Sequence, residues 1–251
     1  MANDFLSTHS VRCVALESRQ MRLGSGLKVS FQRAQQLTKP AGKVSPSYGA
    51  LPIAIDSRAA PAADLVVPLD DEDAMWIGFV ATSEEPVAVR VRVLAPEQVD
   101  AVTGGKWVDA IAADPQNYVV CPGQSALHGV QIEPDCARQF ARVAQTSNAV
   151  GIERLELTSI CSRTDVRAVE APHGPSPADR HEGRSTGIRR FDCPGVPQTI
   201  VVDPHGLGFW SGARCTVSIA LVSPDEYSAL TGEPRLAPLD PADTYRGWRL
   251  P

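Results

Sequence analysis

The polar side chains that could perform chemistry are concentrated in residues 121–140. Glycine and proline interrupt this stretch repeatedly, which predicts turns, and functional groups often lie on loops that a rigid sheet positions. We therefore predict that the stretch forms a binding site. Its predicted members are Gln124, His128, Asp135, Arg138 and Gln139.

The same stretch also contains the residue types of a hydrolase. Ser125 or Cys136 could serve as a nucleophile, with His128 as the general base that removes its proton. A base must lie within about 3 Å of that proton, directly or through one water, and a third group should orient it. The nearest acids in the sequence, Glu133 and Asp135, are separated from the histidine by a glycine and a proline. A pocket that places a nucleophile beside His128 would support this alternative, and a flat surface would exclude it.

The arginines of this stretch favour recognition over catalysis. Residues 139–143 alternate in polarity like a strand, and we expect burial of Phe140 to leave Arg138 and Arg142 on the opposite, exposed face. Two guanidinium groups beside a glycine-rich turn suit the carboxylates of a protein partner. Residues 124–139 are therefore predicted to be a contact surface without a catalytic residue.

Strong catalytic and metal-binding motifs are absent from the sequence. It contains no G-x-S-x-G nucleophile elbow, no Walker loop and no H-E-x-x-H pair. Residues 70–73 are consecutive acids, whereas a calcium loop requires acids at alternate positions, a glycine turn and a distal glutamate. We predict a solvated turn there, no metal site and no cofactor.

An internal repeat organises the elements that must position these residues. Residues 89–104 align without a gap with residues 217–232, and each copy begins with alternating residues that predict a half-buried strand. Each strand is followed by a proline and acids, and each copy ends in a glycine, Gly104 or Gly232. These signals predict a short helix that ends at a left-handed glycine cap. In the second copy, Ser223 and Glu226 have the spacing of a capping box.

Similar alternation elsewhere predicts an all-β fold. The predicted strands are residues 11–16, 27–33, 51–55, 75–82, 86–94, 118–121, 139–143 and 155–160, with a hairpin across residues 83–85. The fold class is therefore all-β, mainly strands with short helices, in two sandwich-like units related by internal duplication.

The predicted domain boundaries follow the repeat. Residues 1–168 form a first β-sandwich-like domain, residues 169–197 a linker rich in proline, glycine and arginine, and residues 198–251 a second, smaller β unit that repeats residues 65–118. Because apolar residues are scarce in the linker, we expect its centre, residues 172–186, to lack regular structure and to be cleaved first by proteases. Trp76 and Trp210 precede the shared strand in the two copies and are predicted to be core anchors.

The composition limits which partners and which cellular location we expect for the protein. The 251 residues have a formal net charge of −5, which opposes nonspecific binding to nucleic acid or to an anionic membrane. The sequence begins without a basic, apolar leader and has no apolar run of the roughly 18 residues that a membrane span requires. We expect a soluble, cytoplasmic protein. Its six cysteines are predicted to be free thiols: Cys13, Cys121, Cys136, Cys161, Cys193 and Cys215.

Two series of short motifs extend over most of the chain. The first is Phe-Gln-Arg at residues 31–33, Pro-Gln-Asn-Tyr-Val-Val at residues 115–120 with Pro122 and Gln124, and Arg-Gln-Phe at residues 138–140. The second is Asp203, Trp210, Thr-Gly-Glu-Pro at residues 231–234 and Tyr245. The first series resembles an uncharacterised family of β-rich bacterial and fungal proteins, and the second is similar to a unit that in some members accompanies a ubiquitin-like domain. The resemblance implies the two-unit division and no particular activity. The family's Trp-Leu-Asp-Gly-Ile segment is replaced here by Ala-Leu-His-Gly-Val at residues 126–130.

These observations predict a noncatalytic interaction or assembly protein. Loops and sheet edges would be presented to a protein partner or to further copies of the chain, and symmetric self-association is common among proteins. The first alternative is a β-sandwich that binds a small ligand or a carbohydrate by stacking on Trp107 or Trp248. The second alternative is the hydrolase built on Ser125 or Cys136 with His128.

Overall fold

The computed structural model describes residues 14–17, 19–24, 26–39, 46–57, 64–95, 97–162 and 195–239. These residues form two β-sheets and one α-helix, so the all-β prediction is confirmed. The predicted linker centre, Trp248, Cys13 and Cys193 lie outside the described residues.

The strands are short and are joined by turns. They are β1 (Val14–Glu17), β2 (Gln20–Leu23), β3 (Leu27–Gln35), β4 (Ala54–Ile55), β5 (Leu65–Pro68), β6 (Asp73–Ala81), β7 (Val87–Leu94), β8 (Gln98–Asp100), β9 (Val119–Cys121), β10 (Ala126–Leu127), β11 (Gly129–Glu133), β12 (Cys136–Ala141), β13 (Ala149–Gly151), β14 (Arg154–Cys161), β15 (Val196–Pro197) and β16 (Arg214–Val222). The helix is α1 (Pro224–Thr231).

The two sheets pack with their apolar faces together. The first has the order β1-β2-β3-β6-β12-β11, with β10 on β6 and with β13 and β15 on β12. The second has the order β4-β5-β16-β14-β7-β8, with β9 on β7. Alternate residues of both sheets point into one shared core, as the sequence pattern predicts. Its members include Met21, Phe31, Ile77 and Phe140 from the first sheet and Val89, Val91, Leu157 and Ile219 from the second.

The predicted hairpin across residues 83–85 is wrong. Although β6 and β7 are adjacent in sequence, β6 pairs with β3 in the first sheet and β7 pairs with β14 in the second. Both strands have apolar side chains that need burial, and Phe79 and Val89 reach the same core from opposite sheets. The connection therefore crosses between the sheets.

The two repeated strands lie in one sheet, on either side of β14. Leu157 of β14 is opposite Val91 of β7 and opposite Val217 of β16. The sequence alignment instead matches Val91 with Ile219. The two residues that pair with Leu157 in β7 and β16 are therefore not the residues that the alignment matches. The internal duplication is not confirmed, and the predicted boundary between residues 168 and 198 does not separate two sheets.

The helix predicted in the second copy is present, whereas that in the first copy is not. The hydroxyl of Ser223 accepts from the amide of Glu226, and Gly232 ends α1 with a left-handed φ of 73°. In the first copy, β8 and a turn replace the helix, and Gly104 ends the turn with a φ of 71°. The carboxylate of Asp100 caps this turn by accepting from two backbone amides.

The acidic run at residues 70–73 is only partly solvated. Asp73 is buried in an ion pair with Arg33, whose Nε donates to Oδ2 at 2.6 Å, and Asp71 pairs with Arg142. The prediction of a solvated turn is therefore wrong for Asp73. Among the described residues, no group of acids, histidines and cysteines is arranged to hold a metal ion, and no helix is long and apolar enough to cross a membrane.

One cysteine departs from the prediction of free thiols. Cys136 on β12 is disulfide-bonded, whereas Cys121, Cys161 and Cys215 are thiols. The predicted cytoplasmic location stays a prediction.

Candidate functional site

The loops of the predicted binding site contact a segment that comes much later in the chain. Residues 195–203, called here the docked segment, begin with β15, in which Val196 is opposite Ala137 of β12. Beyond β15, the segment crosses the loops that contain Gln116 and Gln124. Within the described residues, these loops and not a neighbouring strand hold residues 199–203.

Two glutamine side chains make the hydrogen bonds to the docked segment that a neighbouring strand makes in a sheet. The carboxamide of Gln124 donates to the carbonyl of Thr199 at 3.2 Å and accepts from the amide of Val201 at 2.9 Å. Gln116 repeats this pattern two residues later: it donates to the carbonyl of Val201 at 3.0 Å and accepts from the amide of Asp203 at 2.9 Å. In a sheet, the peptide groups of a neighbouring strand make these bonds. The two side chains therefore satisfy one edge of an extended segment.

The start of the docked segment is fixed through Gln198. Its side-chain oxygen accepts from the backbone amides of His128 at 2.6 Å and Gly129 at 3.1 Å, and its side-chain amide donates to the oxygen of Gln131 at 2.7 Å. Gln198 is 3% exposed, so these bonds satisfy polar groups that water cannot reach.

The end of the docked segment is fixed through Asp203. One carboxylate oxygen accepts from the hydroxyl of Tyr118 at 2.5 Å and from the indole nitrogen of Trp210 at 2.7 Å. Burial of the phenol, together with the negative charge of Asp203, raises the pKa of Tyr118, which keeps this hydroxyl a donor. Trp210 is buried, as the prediction of a core anchor requires.

Three of the five predicted binding residues contact the docked segment. Gln124 binds it as described, and the backbone of His128 binds Gln198. The carboxylate of Asp135 accepts from the hydroxyl of Thr199 at 2.9 Å, and its carbonyl accepts from the amide of Gln198 at 3.1 Å. The structure therefore brings Gln124, His128 and Asp135 together around one extended stretch of chain.

The other two predicted residues have different positions. Gln139 is buried against the end of β3, where its oxygen accepts from the amide of Leu37 at 2.8 Å. The prediction that Arg138 lies opposite Phe140 is wrong, because residues two apart in a strand share a face. Arg138 is directly opposite Val130, which is part of the core, and its Nε is buried without a hydrogen-bond partner among the described residues.

His128 lies in a pocket of about 270 Å³ that Ser125, Pro197 and Thr199 also line. Its ring is tilted against Trp76, with the ring centroids 5.4 Å apart. Desolvation by burial lowers the pKa of His128 to about 4, and Nδ1 is buried without a hydrogen-bond partner in the described part of the chain. The imidazole is therefore neutral at pH 7.

This geometry lacks the contacts of the predicted hydrolase. Within the described residues, no hydrogen bond joins Ser125 to His128 and no carboxylate orients the imidazole, although both side chains line the same pocket. Cys136 is disulfide-bonded, so the hypothesis that it is a nucleophile is wrong. A thiolate is required for that chemistry, and a disulfide has none.

We expect His128 to make stability depend on pH. Its folded-state pKa of about 4 is below the ordinary value of 6.5, so the unfolded chain binds the proton first as the pH falls. The stability that the neutral imidazole contributes is complete above pH 6.5 and is lost as the pH falls towards 4. At about 1.4 kcal/mol per pKa unit, the loss approaches ~3 kcal/mol. Urea unfolding at pH 7 and pH 4 measures it.

The His128→Gln variant is the reference for this measurement, because glutamine does not titrate in this range. A reference is needed because Asp73 also titrates in this range: burial raises its pKa to about 6. Protonation of Asp73 therefore increases the stability of the folded chain as the pH falls, which opposes the effect of His128. The difference in pH dependence between the wild type and the variant gives the contribution of His128 alone. Equal pH dependence in the two proteins would contradict the assignment.

A groove beside the docked segment completes the surface. It has a volume of about 340 Å³, and it is lined by Ile200 and Val202 from the segment and by Val102, Pro115 and Pro134 from the facing loops. Val202 is 80% exposed and Val201 is 40% exposed. Exposed apolar side chains that adjoin an apolar groove are typical of contact surfaces.

Trp107, the residue predicted for ligand stacking, is already covered on one ring face. The guanidinium carbon of Arg90 lies 3.9 Å from the ring centroid, and the indole nitrogen donates to Asp109 at 3.0 Å. Arg90 is itself held by the carbonyl of Asp109 at 2.7 Å. This Trp-Arg stack occupies a face that a sugar ring would need.

Sequence reasoning missed the partners that hold the docked segment. Gln116, Gln198 and Asp203 are ordinary polar residues in turn-rich stretches, and no spacing rule joins Gln116 to a residue 87 positions later. The sequence did contain one indication of Asp203's role. Tyr118 and Trp210 each have a polar group that needs a hydrogen-bond acceptor when the side chain is buried.

Comparison with known proteins finds no matching family model, no matching curated protein and no matching solved structure. The resemblance to an uncharacterised family stays a prediction.

Proposed function

We propose that this chain is a noncatalytic protein-binding β-sandwich that accepts an extended strand of a protein partner at the free edge of its docked segment. The observation that supports this proposal is the pattern of backbone hydrogen bonds in residues 199–203. Thr199, Val201 and Asp203 use backbone groups to bind Gln124 and Gln116, whereas the backbone groups of Ile200 and Val202 have no partner among the described residues.

The alternation has a geometric cause. In an extended chain, the N–H and C=O of one residue point to one side and those of the next residue point to the other. Because the two glutamines occupy one side, Ile200 and Val202 direct two donors and two acceptors to the other side. An edge of this kind is a template for strand addition, in which main-chain bonds supply affinity and adjacent pockets supply specificity.

The groove supplies the apolar part of such a site. Ile200 and Val202 line it from the edge itself, and Val102 and Pro134 line it from the opposite wall. An incoming strand that bonds to the edge would place alternate side chains over this groove. We therefore expect the partner strand to carry small, β-branched apolar residues at alternate positions.

The expected affinity is modest. Each backbone hydrogen bond contributes about 1 kcal/mol net, and association has a large entropic cost. Four such bonds and a small apolar contact predict a dissociation constant in the roughly micromolar to millimolar range. This range suits a reversible interaction.

The test uses an acetylated, amidated peptide of alternating valine and threonine and the ¹⁵N-labelled full chain. We expect the peptide to shift the NMR signals of the amides of Ile200 and Val202 most strongly, because these amides donate to no group in the described part of the chain. The amides of Val201 and Asp203, which already bind glutamine side chains, should shift less. The matched control is the same peptide N-methylated at alternate residues, which should bind at least about tenfold more weakly because donors are removed.

Equal binding of both peptides, or shifts centred on another surface, would contradict the proposal. A protein variant gives a second control. Val202→Pro removes one free donor without touching the bonds of Gln116 and Gln124, and it should weaken peptide binding, whereas Val202→Thr keeps the donor and the branched shape.

A further inference from the structure

The free edge of the docked segment is self-complementary. Ile200 and Val202 each offer one N–H and one C=O on the same side, with Val201 midway between them. If two such edges meet antiparallel about a twofold axis through the paired Val201 residues, Ile200 of each copy is opposite Val202 of the other. Each of these two opposed pairs exchanges both of its N–H···O bonds. The four groups of each copy that have no partner within the described ranges are then all satisfied.

We propose that the partner strand is the same segment of a second copy of this chain, and that residues 199–203 pair antiparallel in a twofold dimer. This inference rests on the proposed function, because it names the partner for the same edge. A twofold interface uses one surface patch on both subunits, so a patch that complements itself suits it without any further adaptation.

The side chains at this edge agree with a homodimer. Val202 is 80% exposed and lines the groove, and the pairing places it opposite Ile200 of the second copy, over that copy's groove. Val201 is 40% exposed and meets its counterpart on the axis. The contact therefore covers the exposed apolar side chains of the docked segment along with its free polar groups.

The register supplies a sharp test. Two residues that face each other without exchanging hydrogen bonds across an antiparallel pair have Cα atoms about 4.5 Å apart, which suits a disulfide. Val201→Cys should therefore form a covalent dimer under mild oxidation. Val202→Cys should not, because residue 202 is opposite residue 200 of the other copy. The two residues 202 are offset by two positions, which places their Cα atoms about 8–9 Å apart, beyond the roughly 7 Å limit of a disulfide.

Exposure alone predicts the opposite order, since Val202 is twice as exposed as Val201, 80% against 40%. The unsubstituted protein gives the background of cross-linking through the chain's own cysteines. Preferential cross-linking through residue 201 would support the antiparallel register, and equal or greater cross-linking through residue 202 would overturn it.

Sedimentation equilibrium over a range of concentrations provides the second measurement. We expect reversible dimerisation by the wild type, a dissociation constant at least tenfold higher for Val202→Pro, and a change of less than about threefold for Val202→Thr. Circular dichroism confirms that each variant is folded. A dimer that Val202→Pro leaves unchanged would locate self-association elsewhere and overturn the inference.

The two proposals fail in distinguishable ways. A wild-type protein that is monomeric at high concentration, but whose Ile200 and Val202 amides respond to the valine–threonine peptide, would refute the homodimer and leave strand binding intact. A monomer whose edge amides do not respond to the peptide would refute both.

Discussion

Gly104→Ala is expected to lower the free energy of unfolding by at least about 3 kcal/mol, because it combines backbone strain with a steric clash. Gly104 has a φ of 71°, which side chains other than glycine rarely adopt, and a Cβ at this position would lie 1.8 Å from the carbonyl oxygen of Gln131. The backbone of β11 would have to move to make space. Urea unfolding gives the change in free energy.

Gly232 is the matched control for this substitution. It has nearly the same φ, 73°, and its amide makes the same bond to the carbonyl four residues earlier, but nothing lies within 4 Å of an added Cβ. Gly232→Ala should therefore cost only the backbone term, about 1 kcal/mol. Similar losses at the two positions would mean that the contact with Gln131 is absent.

Asp203→Leu is expected to cost about 3–5 kcal/mol, because it leaves two buried donors without an acceptor. The hydroxyl of Tyr118 and the indole nitrogen of Trp210 both donate to Asp203, and these residues are 0% and 2% exposed. The loss should also free residues 201–203 from the surface, since Asp203 fixes the end of the docked segment. Thermal unfolding and amide exchange of Val201 measure the two effects.

A double-mutant cycle with Tyr118→Phe separates the two donors. Phenylalanine lacks the hydroxyl, so Asp203→Leu should be less costly in that background by about 1–3 kcal/mol. Asp225→Leu serves as a surface control, because the side chain of Asp225 is 74% exposed in its ion pair with Arg235. A loss at Asp203 no larger than that at Asp225 would be inconsistent with a buried anchor.

Strands were predictable where one face of the chain is buried and the other is not. The alternation of residues 27–33, 155–160 and 217–221 matches β3, β14 and β16, because pleating alone determines which side chains face the core. The pairing of these strands was not predictable. Alternation is the same for a strand in either sheet, so the pattern in β6 and β7 could not reveal that the chain crosses the core between them.

The helix of the first copy shows how a tertiary contact overrides a local signal. Both copies contain a proline, acids and a final glycine. In the first copy, however, β8 ends at Asp100, which is only 1% exposed. Its carboxylate lies 3.5 Å from the guanidinium group of the buried Arg90. This buried pair, together with Asp100's capping bonds, fixes a strand and a turn. In the second copy the corresponding Ser228 bonds to the carbonyl of Glu233, and the helix forms.

The candidate site was predictable as a location but not as an interaction. Turn chemistry and polar density selected Gln124, His128 and Asp135, which the structure places around the docked segment. What they contact depends on residues 64–77 positions later, as in the bond between Asp135 and Thr199 and that between Gln124 and Val201. Such long-range contacts leave no trace in the spacing of a single sequence.

The position of β16 has a consequence for protein synthesis. Within the described residues, β5 pairs only with β4 and β16, and β16 also pairs with β14. During translation, β5 and β14 are therefore synthesised long before β16, the strand that pairs with both. The edges of β5 and β14 that bind β16 cannot form these hydrogen bonds until residues 214–222 have left the ribosome. Closing this sheet is a late, non-local event, which is typical of slow folding. A nascent chain that stops at residue 168 lacks the strand that joins β5 to β14.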